Sequence, residues 1–193
     1  YLHPTLTLPG PYPETLAAWD EQARHRKVVA IGGSDGHGDT YRYVGLKFEV
    51  FPYPHLLKSI NMHVLLSEAL SSESAIAEKQ ILRALADGSS FVAHDHIDDP
   101  SSFEYFGEVT PGVRVEMGAE ILWERDIELV VRIDKRSRIR LIRDGQPFAE
   151  GKGGLLRCRT EGPGVYRAEV YRRSRFGTEY PWIFSNPLFL RER

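Results

Sequence analysis

From residue 113 to 190 the chain is a succession of short β-branched and aromatic runs, at 113–117, 127–133, 139–142, 155–158, 165–171 and 182–190. Between them lie Arg-Asp-Gly-Gln-Pro at 143–147, Glu-Gly-Lys-Gly-Gly at 150–154 and Glu-Gly-Pro-Gly at 161–164. These are built from the residues that turns require. Arg138-Ile139-Arg140-Leu141 and residues 165–170 alternate apolar with polar side chains, the period of a strand with one face buried. Strands at this spacing predict an antiparallel sandwich over residues 109–193.

Residues 1–108 carry a different pattern. Pro13 and Glu14 open a stretch with Leu16, Ala17, Trp19, Asp20 and Ala23 at helical spacing, and proline with an early acid suits a helix N-terminus. A second helix is expected over 72–88. Ser72 or Ser74 is its candidate cap, Ile76, Ile81, Leu82 and Leu85 form an apolar stripe, and Gly88 ends it. His63 lies in a strand-like run, the prolines at 52 and 54 mark a turn holding His55, and residues 91–93 form a short strand. Residues 94–100, His-Asp-His-Ile-Asp-Asp-Pro, read as a solvated loop. Helices mixed with strands place this portion in the α/β class.

The chemistry concentrates at residues 27–37, Lys-Val-Val-Ala-Ile-Gly-Gly-Ser-Asp-Gly-His. A four-residue apolar run closed by glycines predicts a buried parallel strand over 28–31. Asp35 and His37, two apart in extended chain, are expected to project to the same side. A carboxylate and an imidazole side by side can hold a divalent metal or exchange a proton. A Ser34-Asp35-His37 triad fails on geometry, because immediate neighbours cannot place serine and aspartate on opposite nitrogens of the histidine.

Composition excludes some roles. With 27% charged residues and a net charge of −2 the chain has no general attraction for nucleic acid or anionic membrane. No apolar run reaches the roughly 20 residues that span a bilayer, and no signal peptide is legible. The single cysteine, Cys158, rules out an internal disulfide framework and agrees with a cytoplasmic location. The cluster Arg172, Arg173 and Arg175 reads as an exposed hairpin; Trp182 and Phe184 read as core, and Asn186 before Pro187 as a turn or strand-edge residue.

Residues 19–38, WDEQARHRKVVAIGGSDGHG, resemble the closing motif of the PHP (polymerase and histidinol phosphatase) superfamily of metal-dependent phosphoesterases. The runs ILRALADGSSFVA (81–93) and YPWIFSNPLFL (180–190) are similar to later segments of a PHP subgroup with an appended β module. The resemblance implies the last part of a PHP-type distorted β/α barrel followed by the all-β sandwich. It makes Asp35 and His37 catalytic metal ligands for Zn, Mn or Fe, and the substrate a small phosphate ester cleaved by metal-activated water. An amidase or carbamate hydrolase of the same superfamily is the variant reading. The family's opening His-x-His motif and further ligands have no counterpart before residue 27, and the chain begins Tyr-Leu-His-Pro. It therefore reads as a piece of a longer protein lacking the N-terminal PHP portion, inactive alone. Against this stands a binding or structural β-sandwich module in which the Asp-His pair is unused.

Overall fold

The computed structural model of the chain describes residues 10–38, 40–49, 52–124, 127–174 and 177–192. Residues 1–9 of the proline-rich lead-in, residues 50 and 51, and Arg175 of the arginine cluster lie outside them.

Helix α1 (Pro13–His25) begins with proline and an acidic first turn and ends in Arg24 and His25, as the helix dipole favours. An irregular segment, 26–38, leads to a hairpin of β1 (Thr40–Tyr43) and β2 (Leu46–Glu49). The short helix α2 (Tyr53–Leu56), strand β3 (Ile60–Val64), helix α3 (Ser74–Asp87) and strand β4 (Ser90–His94) follow. The remainder is β-structure: β5 (Glu104–Thr110), β6 (Val113–Glu116), β7 (Glu120–Leu122), β8 (Glu128–Arg143), β9 (Gln146–Arg159), β10 (Gly164–Arg173), β11 (Glu179–Ser185) and β12 (Leu188–Arg191). No helix among the described residues is long and apolar enough to cross a membrane.

Ten strands join one sheet in the order β3-β4-β11-β10-β8-β5-β6, with β9 on β8, and β12 between β10 and β7. All its pairings are antiparallel except β7 with β12. Strand β8 organises it. Its first half pairs with β5, its second half with β10, and β9 follows its other edge throughout. The tight loop Asp144-Gly145 closes the β8–β9 hairpin with both residues at positive φ, 50° and 83°, the turn whose twist matches that of paired strands. Residues 150–154, which the sequence presents as a turn, instead continue β9. The β8–β9 register breaks between Arg132 and Ser137, so the glycines serve a bend within the strand. A Cβ on Gly154 would meet the Ile133 carbonyl at 2.6 Å.

One face of the sheet forms the core. Leu129, Val131, Ile133, Ile139 and Leu141 alternate along β8 and pack with Tyr166, Ala168, Val170, Ile183, Phe91 and Ala93. On the other face α1 seats Ala23 against Val165 and Phe189, with Trp19 beside them. A buried charge network pins the helix there. Asp20 pairs with Arg167, which also holds Glu169 at 2.9 Å, and the Tyr171 hydroxyl donates to Glu169 at 2.8 Å. Burial pushes the Asp20 carboxyl above its ordinary range against the pull of Arg167, and burial together with the Glu169 charge pushes Tyr171 up to about 12.

The expected architecture, a β/α-barrel portion followed by a separate sandwich, does not form. A barrel requires successive parallel strands joined through helices. Here the chain leaves β3, makes α3 and returns to lay β4 antiparallel along β3, His94 opposite Ile60 and Ser90 opposite Val64. The described residues contain no closed barrel; they form a β-rich, sandwich-like fold in which β4 also pairs with β11. Helix α3 departs from expectation as well. Its N-cap is Glu73, with no side-chain cap from Ser72 or Ser74, while Gly88 ends it at φ 73° as foreseen. Of its apolar stripe, Ile76, Ile81 and Leu82 stay exposed.

Candidate functional site

The segment carrying Asp35 and His37 has strand-like residues and joins no ladder, which corrects the buried parallel strand expected over 28–31. Its backbone is held by other means. The Trp19 indole donates to the Val28 carbonyl at 2.9 Å, and the Gly32 N–H meets the Met62 thioether at 3.2 Å. Ala30 is gripped on both sides by the Asn186 amide, whose Oδ1 accepts from its N–H at 2.6 Å and whose Nδ2 donates to its carbonyl at 3.2 Å. The Lys27 ammonium donates to the Asp87 carbonyl at 2.9 Å, satisfying an end carbonyl of α3. Ile31, expected inside, is 75% exposed.

Beyond Gly33 the chain turns outward. Asp35 takes a left-handed conformation, φ 46°, which aspartate tolerates better than most residues. Its side chain is 93% exposed and that of His37 69%, with Asp35 Oδ1 and His37 Nδ1 3.7 Å apart. His37 Nδ1 donates to the Asp35 backbone carbonyl at 2.8 Å. A carbonyl can only accept, so in that bond Nδ1 carries the proton and the Nε2 lone pair is left for another partner. The Tyr53 hydroxyl donates to the His37 carbonyl at 3.1 Å. The two candidate site residues therefore come together, and face solvent. Among the described residues no group of three or more His, Cys, Asp or Glu side chains forms a set that could hold a metal ion. Arg42 and Lys47 sit opposite each other on the exposed β1–β2 hairpin.

A second polar cluster forms where the sequence reads as a solvated loop. His94 closes β4 and is 4% exposed, and neither ring nitrogen has a hydrogen-bond partner among the described residues. Burial holds its pKa below the ordinary value. His96 stacks on His55 at 4.4 Å and bonds the His55 carbonyl through Nε2 at 2.8 Å. Asp95 is held between His63 Nε2 at 2.9 Å and Asn61 Nδ2 at 2.7 Å. This makes His63 hydrogen-bonded and half-buried. Elsewhere Trp182 is buried as expected, and Arg172 is tied to Asp98 at 2.7 Å rather than free on a hairpin.

A cavity of about 580 Å³ lies between α1, residues 29–33 and the sheet, with Trp19, Ile60, Val92, Trp182 and Phe184 among its walls. Asn186, Met62 and Trp19, which seat the site segment, carry no local signal of that role. The bonded pair Ala30 and Asn186 is 156 residues apart. No protein-family model, curated protein or solved structure matches this chain.

Proposed function

We propose that this chain supplies Asp35 and His37 to the metal site of a PHP-type hydrolase acting on a small phosphate ester, the other donors coming from an N-terminal PHP portion. The observation that supports this is the pair itself: a carboxylate beside an imidazole on an exposed turn, the imidazole bonded through Nδ1 so that Nε2 is available. A protonated Nδ1 held by a carbonyl is the usual second contact of a ligating histidine. The donor set, one oxygen and one nitrogen, suits Zn, Mn or Fe better than Ca, and two donors are fewer than a stable site needs. When bound, the ion supplies Lewis acidity toward a phosphoryl group and acidifies a water. Asp35 and His37 hold and orient it.

The test is a zinc titration carried to concentrations at which two donors alone bind weakly, followed by imidazole ¹⁵N resonances. Zinc is expected to move His37 Nε2 selectively, and Asp35→Ala to abolish the response. An unmoved His37, or an equal response in Asp35→Ala, removes the reading.

A second reading, a ligand-binding module, has the 580 Å³ cavity in its favour, since its walls are largely apolar and of a size that holds a small molecule. Quenching of Trp19 and Trp182 fluorescence by an apolar probe such as naphthalene tests it.

A further inference from the structure

We infer that Asn186 is a positioning residue for the Asp35–His37 turn, its side-chain amide standing in for the neighbouring strand that residues 28–31 lack. The inference deepens the metal-site reading above and rests on it for the turn's function, but the placement of the segment can be judged separately.

A strand is fixed in a sheet when a neighbour accepts from its N–H and donates to its carbonyl. The planar amide of Asn186 offers both groups at once. Oδ1 accepts from the Ala30 N–H at 2.6 Å and Nδ2 donates to the Ala30 carbonyl at 3.2 Å. The amide is itself fixed. Nδ2 also donates to the Ser90 carbonyl at 2.9 Å and approaches Ser90 Oγ at 3.1 Å, and the Asn186 N–H donates to the Ser90 carbonyl at 3.3 Å. Asn186 is 1% exposed and lies between β11 and β12, so it is carried by two strands of the main sheet. One side chain thus ties the start of β4 and the junction of β11 with β12 to the backbone five residues before Asp35.

Past the clamp the segment is seated by contact. At Gly32 a Cβ would lie 3.0 Å from Val92 Cγ1, so the backbone rests on that side chain. The chain then turns away from the sheet's surface at Gly33, where the space a Cβ would enter is open, and reaches Asp35 and His37 on a turn anchored behind it. A ligand pair on an exposed turn is only as well placed as the backbone leading to it, and supporting groups of this kind set metal affinity on the order of ten- to a hundredfold.

The experiment compares the intact chain with Asn186→Ala, Asn186→Asp and Ala30→Pro by NMR. Ala30→Pro removes the bonded N–H from the other partner, on a segment outside the sheet, and decides the matter if Asn186→Ala does not fold. Two readouts are taken: the Gly32 Hα to Val92 methyl contact against the His63–Phe91 ring contact inside the sheet (4.9 Å between centroids), and the zinc affinity at His37. Asn186→Ala and Ala30→Pro are expected to lose the Gly32–Val92 contact, keep His63–Phe91, and weaken zinc at least tenfold. Asn186→Asp, which retains the acceptor for the Ala30 N–H, is expected to recover part of the affinity. Retention of the Gly32–Val92 contact in Ala30→Pro and in any folded Asn186→Ala overturns the inference, as does its loss only together with the sheet contact. If the unaltered chain shows no zinc response at His37, the metal-site reading fails by itself, and the Gly32–Val92 contact still decides whether Asn186 positions the segment.

Discussion

The strands from β5 to β12 and the stretch from residue 27 to α3 contain similar kinds of apolar residue and treat them differently. In the first region the alternating side chains of β8, β10 and β11 close on one another, and Leu129, Leu141, Ala168 and Ile183 are wholly buried. In the second, Ile31, Ile76, Ile81 and Leu82 have the pattern of a buried face and remain exposed. An apolar pattern declares which face of an element calls for a cover; it does not supply the cover. Where the chain brings its own, as β8 does by turning back on β9 and meeting β10, the pattern becomes a core.

Substitutions can break that contrast. The largest effect is expected at Arg167→Met, which strands Asp20 and Glu169 in the interior where α1 meets β10. Orphaning buried charge costs about 3–5 kcal/mol, to be read from urea unfolding with α1 helicity followed by circular dichroism. Leu129→Ala in the centre of β8 is expected to cost about 2–5 kcal/mol for lost contact and residual cavity, seen as a lower urea midpoint with unchanged slope.

A smaller, pH-dependent effect belongs to His94. Burial holds the folded pKa below the ordinary 6.5, with His96, Asp95 and His55 acting more weakly on the ring. Below pH 6.5 the unfolded chain therefore takes up a proton that the folded ring resists. Stability falls as pH drops from 6.5 through the lowered folded value, by at most about 1.4 kcal/mol per pH unit. His94→Leu should flatten this slope between pH 7 and 5; an unchanged slope assigns it to other groups. The smallest effects are expected at Ile31→Ala and Leu82→Ala, each within about 0.5 kcal/mol as for surface positions. A cost near that of Leu129→Ala would show that these side chains are covered in solution and would erase the contrast.

The same contrast governs what was legible in the sequence. The strands of the second half could be read because alternation and turn chemistry are local: Asp144-Gly145 declares its hairpin and Gly162-Pro163 its corner. Glu150 to Gly154 misled because glycine permits a bend within a strand as readily as a turn between strands. The strand expected at 28–31 and the barrel that the PHP resemblance implies both require a distant neighbour to form a ladder, which local sequence does not declare. Asp35 and His37 lie together through a turn at Asp35, not through the alternation of an extended chain that their spacing predicts. Asn186 reads as a turn or strand-edge residue because its partners, Ala30 and Ser90, lie 156 and 96 residues away. His94 reads as solvated because a polar tripeptide gives no sign that β4 runs one residue into it.

The distance between Ala30 and Asn186 also sets an order of events during synthesis. A ribosome adding about 5–20 residues per second makes residue 30 wait roughly eight to thirty seconds for its partner to be translated. Throughout that interval the segment leading to Asp35 and His37 has only its nearer partners, among them Trp19, Tyr53 and Met62, and Ala30 stays without the amide that fixes it in the finished fold.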